Sequence, residues 1–217
     1  MFGDKKTEGL PRVAVCAGDS LGVGPEVSLA AVRDARVLSV CRPVLFWHAG
    51  LDGPRDAGDV VVVGERGASP AQAAITCLEA GLDAVCGGEA SALVTAPVNK
   101  ERMAAVLPGF RGHTEWLADR ASTGARDVVM IFSGPRVRTA CVTRHVALSD
   151  VPGRLTPGDV TWSALLLWGH LRWELGIESP RLAVCGLNPH ASDGGIMGDE
   201  EERVIAPAVA ALRGAVA

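Results

Sequence analysis

Short, almost wholly apolar runs alternate with longer amphipathic stretches along this chain. That alternation constrains the fold more than any other feature of the sequence. The runs are "RVAVC" (12–16), "PVLFW" (43–47), "DVVVV" (59–63), "SALVT" (91–95), "DVVMI" (127–131), "RTACV" (138–142) and "RLAVC" (181–185). Continuous apolarity is what a strand covered on both faces requires. The stretches between them predict helices at 25–33, 70–87, 99–106, 114–122, 157–175 and 199–213. Pro25 at a first helical position with Glu26 in the first turn, and Thr156 as a cap ahead of Pro157, are good helix starts. Strand–helix alternation of this kind predicts an α/β fold with a largely parallel sheet. "LPGFRG" (107–112) interrupts the pattern, dividing the chain into an expected first α/β lobe, 1–110, and a second, 111–217.

Composition narrows the partners. The 217 residues are 48% hydrophobic with a net charge of −4, enough apolar material for a packed core. No Lys/Arg run forms a nucleic-acid footprint. The opening "MFGDKKTEGLPR" is polar and lacks the pattern of a signal peptide. The longest mainly apolar stretch, "VTWSALLLWGHL", is about half of what a membrane span needs. Cys16, Cys41, Cys77, Cys86, Cys141 and Cys185 form no CxxC pair, and most sit in apolar runs as small hydrophobes. A reducing cytoplasm fits them best.

Ligands of open α/β sheets bind beyond the carboxyl ends of the strands. Thr143-Arg144-His145 follows "RTACV", Gly186-Leu187-Asn188-Pro189-His190 follows "RLAVC", and Ala96-Pro97-Val98-Asn99-Lys100 follows "SALVT". Each histidine alone reads as a hydrogen-bonded loop residue. Two on separate strand ends, one beside Gly194-Gly195, leave a divalent-metal site as an equal alternative. Two imidazoles are one short of the three protein ligands usual at a catalytic metal. The acids Asp199, Glu200, Glu201 and Glu202 read as charge complementing a helix N-terminus. "GDSLGVGPE" (18–26) is neither GxGxxG nor a Walker A loop, so it is either a tight turn or a close approach to a ligand. In "RGHTEW" (111–116), Thr114 can cap the helix and leave His113 beside its N-terminus, as an anion contact or as part of a plain helix start. His170 reads as an ordinary helix residue, and nothing near His48 recruits it.

Taken in order, "GDSLGVGPE", "ALVTAPVNK", "GHTEWLA", "VRTACVTRHVALSDVP" and "LAVCGLNPHASDGGIMGDEE" resemble the 4-hydroxythreonine-4-phosphate dehydrogenase family of vitamin B6 biosynthesis. The resemblance covers most of 12–213 and is weakest over 41–68. It implies a three-layer α/β/α fold like that of the isocitrate and isopropylmalate dehydrogenases, and a homodimer with shared active sites. It also implies oxidation of a phosphorylated hydroxy-amino acid by NAD with a divalent cation (Zn, Mg or Co), followed by decarboxylation. By position, His145 and His190 match two of three metal-binding histidines, and His113 and Thr114 match substrate-binding residues.

The family pattern continues beyond this chain. The further segment carries the third histidine, other substrate contacts and much of the cofactor site, so the fold is expected to be incomplete at its C-terminus. The 217-residue chain alone is accordingly expected to show little or no dehydrogenase activity. Arg144 stands where the family more usually has a small polar residue. Two other functions fit the same blocks: a dehydrogenase of a related four-carbon sugar-acid phosphate, and a truncated non-catalytic or complementing fragment.

Overall fold

A computed structural model describes residues 9–53, 58–121 and 128–215. Two compact units divide the chain, Met1–Ala121 and Ser122–Ala217.

The first unit is built on a parallel sheet in the order β3-β2-β1-β4, from β1 (Arg12–Cys16), β2 (Arg42–His48), β3 (Asp59–Val63) and β4 (Ala92–Thr95). Side chains alternate across a strand, and here the alternation separates two cores. Ala14, Cys16, Val44 and Phe46 face one side, where α3 (Pro70–Cys86), α4 (Lys100–Val106) and α5 (His113–Arg120) supply Leu78, Met103 and Trp116. Val15, Ala17, Leu45 and Trp47 face the other side and meet Leu29 and Val32 of α1 (Gly24–Arg33). A short α2 (Ala35–Leu38) follows. Helices on both faces of a parallel sheet make the three layers that the family resemblance implies. Each large apolar side chain buried this way contributes about 1.5–3 kcal/mol.

Helix α3 begins where Ser69 accepts a hydrogen bond from the Gln72 N–H and Pro70 presets the first turn. Its sheet-facing side is mostly small, and Gly81 marks the closest approach. A Cβ there would lie 2.6 Å from Cys16 Sγ and 2.9 Å from Leu93 Cδ1. Cys16 and Cys77 are buried at this seam. Burial, with Cys77 beside Cys16, pushes the Cys16 thiol up to about 12, and burial alone does the same for Cys77. All six cysteines are free thiols.

The lobe boundary expected at 110 moves to the end of α5. Trp116 and Phe110 belong to the same core cluster as Met103, and Arg120 pairs with Glu79 of α3 at 2.8 Å.

The second unit contains an antiparallel pair, β5 (Met130–Ser133) and β6 (Arg138–Cys141), and the helices α6 (Val151–Arg154), α7 (Pro157–Gly169) and α8 (Ala206–Ala215). Leu155, Val160, Val204 and Ala208 form its core, with Val142 and Leu187 packed against it. The Thr156 cap is as expected, accepting from the Asp159 N–H at 3.2 Å. The helix expected over 157–175 is α-helical only to Gly169 and widens into an i→i+5 turn at His170–Glu174. A similar wide turn, Glu201–Ile205, leads into α8. His170 Nδ1 lies 2.7 Å from Glu174 on this helix.

One predicted strand is absent. Residues 181–185 form no ladder with any described strand, and most of them are exposed. An apolar run becomes a strand only when a neighbour satisfies its N–H and C=O groups, and here none does. Residue 127 of the expected strand 127–131, and residue 122 of the expected helix 114–122, lie outside the described residues. No helix among the described residues is long and apolar enough to cross a membrane.

Candidate active site

In the first unit, β1 and β4 are neighbours, so the loops leaving their carboxyl ends run side by side. Cys16 pairs with Thr95, the Ala96 N–H donates to Cys16 O, and the Asp19 N–H donates to Pro97 O at 3.1 Å. Gly18 makes this approach possible. It has φ +75°, and a Cβ would come within 2.7 Å of Pro97 O.

Asp19, only 4% exposed, locks the two loops together. Its carboxylate accepts from the Leu21 N–H at 2.9 Å, the Asn99 N–H at 3.3 Å and Arg102 Nε at 3.0 Å, with a second, shorter bond from Arg102 Nη2. Burial pushes the Asp19 carboxyl up. These hydrogen bonds and the Arg102 charge outweigh it and hold the group below the usual carboxylate range. Asn99 in turn caps α4 by accepting from the Arg102 N–H at 2.9 Å, which places Lys100 at the start of that helix.

His113 opens α5, its ring edge-on to Phe110 at 6.1 Å. Burial, and secondarily the charge of Lys100, lowers its pKa, so the ring is neutral at pH 7. Its Nε2 is shielded from solvent and has no hydrogen-bond partner among the described residues. Thr114 sits beside it but does not cap the helix. The helix begins a residue earlier than expected, Gly112 is the cap, and the Gly112 carbonyl accepts from the Trp116 N–H. Thr114 is left in the first turn.

In the second unit, the segments leading to the other two histidines meet at one cavity. Cys141, Val142 and Thr143 line it from one side, and Val184, Cys185, Gly186 and Leu187 from another, enclosing about 260 Å³. His145 follows with a left-handed φ of 52°. Arg144 donates from Nη1 to Val128 O at 2.6 Å. His190 is half-exposed, with Nδ1 3.1 Å from Asp193 Oδ2. A carboxylate at one ring nitrogen fixes the tautomer and orientation of an imidazole whose other nitrogen ligates a metal, so His190 fits that role. No cluster of three or more His, Cys, Asp or Glu side chains able to hold a metal ion occurs among the described residues.

Three residues, Asp19, Arg102 and Glu201, have roles absent from the sequence reading. Asp19 had a local signal, an acid between strand and helix positioned to turn back onto its own Leu21 N–H. Its partner Arg102 lies 83 residues away and carried none. In sequence Glu201 reads as helix-terminal charge, but its carboxylate accepts from the Leu187 N–H and the Ser192 hydroxyl instead.

The family model for pyridoxal phosphate biosynthetic protein PdxA matches residues 31–216. The 4-hydroxythreonine-4-phosphate dehydrogenase of Desulfosudis oleivorans is 34% identical over 94% of this chain and 69% of its own length. That of Chromobacterium violaceum is 36% identical with the same coverages. The crystal structure of the Klebsiella pneumoniae enzyme superposes with a TM-score of 0.79 at 28% identity, over 95% of this chain and 71% of that one. This chain therefore belongs to the PdxA family of 4-hydroxythreonine-4-phosphate dehydrogenases, oxidoreductases of pyridoxal phosphate biosynthesis.

Proposed function

We propose that this chain carries residues of an NAD-dependent, metal-assisted dehydrogenase site that oxidises and decarboxylates 4-phosphohydroxy-L-threonine, in a cytoplasmic homodimer with shared active sites. The observation that best supports this reading is one cavity lined by Cys141–Thr143 and by Val184–Leu187, the stretches that lead into His145 and His190. Together with the Asp193 carboxylate behind His190, it suits two ligands of one divalent cation. When bound, the cation (Zn, Mg or Co) supplies Lewis acidity at the substrate hydroxyl, and NAD accepts the hydride.

The chain's own side chains bind and orient. His113, neutral and with an unsatisfied Nε2, offers one directional hydrogen bond to the substrate, and the adjacent Thr114 hydroxyl offers another. His145 and His190 hold the cation. Because a catalytic cation takes about three protein ligands, a third donor must come from another residue.

Co²⁺ titration followed by visible absorbance tests the ligand assignment. Binding is expected to weaken at least roughly tenfold in His145→Ala and in His190→Ala, and unchanged binding in both overturns the assignment. Binding of 4-phosphohydroxy-L-threonine, followed by calorimetry, is expected to weaken in His113→Ala. NAD reduction by the 217-residue chain alone is expected to be slight or absent. Clear turnover that His190→Ala abolishes would overturn that expectation.

A further inference from the structure

The loop carrying His190 has an unusual backbone. Ala191, Ser192 and Asp193 have φ of 47°, 69° and 42°, and Gly194 and Gly195 continue at 68° and 96°. Left-handed conformation costs a non-glycine residue about 1–2 kcal/mol. Such a run persists only where its surroundings hold it.

Several bonds do so. The Asn188 side chain accepts from the His190 N–H at 2.9 Å and donates to Met197 O at 3.0 Å, and the Met197 N–H closes back on Ser192 O. The widest span is made by Glu201. Its Oε1 accepts from the Leu187 N–H at 2.7 Å, and its Oε2 accepts from the hydroxyl of Ser192, a buried residue. One carboxylate thus ties the residue three before His190 to the residue two after it. Val204, 1% exposed, anchors the turn that bears Glu201 in the core beneath α8. Gly186 leaves room for this arrangement, since a Cβ there would lie 3.1 Å from both Glu201 Oε1 and Ala191 Cβ.

An acid in the first turn of a helix ordinarily serves the helix. Both Glu201 oxygens are instead engaged by the loop, whereas Asp199 faces its own helix neighbour Arg203 at 3.4 Å. We propose that Glu201 is a positioning residue that clamps the His190 loop and fixes the direction of the His190 imidazole. Its consequence for metal binding rests on the reading of His190 as a ligand.

The experiment compares Glu201→Ala and Glu201→Gln in the full chain. Without metal, two readouts apply: hydrogen exchange over 186–200, and the NMR signal of the His190 ring, assigned by its loss in His190→Ala. Glu201→Ala is expected to speed exchange of the Leu187 amide at least about tenfold and to shift or broaden the ring signal, with the β1 and β4 amides unchanged. Glu201→Gln retains an acceptor for the Leu187 N–H, so it should restore most of both. An unaltered ring signal in Glu201→Ala overturns the proposal, even if the loop loosens. Co²⁺ titration then separates the two ideas. If His190 is a ligand, Glu201→Ala weakens binding about 10–100-fold and Glu201→Gln rescues it. If His190→Ala leaves Co²⁺ binding intact, the ligand reading fails, and the ring signal alone decides the positioning role.

Discussion

Replacing Asp19 with Asn tests whether one buried carboxylate holds two loops of the first unit together. Removing one partner of a buried ion pair costs about 3–5 kcal/mol. Arg102 is 40% exposed on its side chain and can turn to solvent, which discounts its share toward the roughly 0–1 kcal/mol of an exposed pair. What remains is the loss of a charged acceptor for the Leu21 and Asn99 N–H groups, and an amide NH₂ facing donors. The expected total is about 2–3 kcal/mol. At roughly 1.4 kcal/mol per factor of ten, exchange of the β1 and β4 amides through opening of this unit should accelerate about 30- to 150-fold.

The pH dependence carries a sign. Asp19 has a folded pKa below its ordinary value, so its contribution is full above the unfolded pKa of about 3.9. It is lost as pH falls through the lower folded value. The gap between wild type and Asp19→Asn should therefore close below about pH 4. An effect under about threefold at neutral pH, or a gap that persists undiminished in acid, refutes the reasoning.

Gly81→Ala forces a Cβ against Cys16 and Leu93, and should destabilise the first unit by about 1–3 kcal/mol in urea unfolding; a neutral result would mean that α3 shifts freely on the sheet. His113, whose folded pKa is lowered, should titrate by NMR below about 6.5. Its stability contribution is complete above that ordinary value and lost as pH falls toward the folded one. His113→Gln should consequently flatten the fall in urea midpoint between about pH 7 and 5. Asp193→Ala removes the carboxylate that faces His190 Nδ1, so Co²⁺ affinity should drop at least roughly tenfold.

The first unit was largely legible because its signals are local. β1 and β3 match the predicted ranges, and Ser69-Pro70 and Pro25 announce their helices. Most of the failures involve information held elsewhere in the chain. Residues 181–185 have strand composition but no neighbour, and composition cannot reveal that. Thr114 has the residue type of a cap, whereas Gly112, which offers only a carbonyl, leaves little trace in sequence. The five blocks contain His113, Thr114, His145 and His190, yet Asp19–Arg102 and Glu201–Ser192 are tertiary bridges that no spacing rule predicts.

The distribution of thiols makes the chain an experimental tool as it stands. Cys16 and Cys77, with pKa values of about 12 and no access to solvent, will ignore a maleimide at neutral pH. Cys86, at the end of α3, and Cys185, just ahead of the His190 loop, are both exposed. One such handle in each unit, once the part-buried Cys41 and Cys141 are changed to Ser, lets a pair of spin labels or dyes report the separation of the units and its response to added ligands.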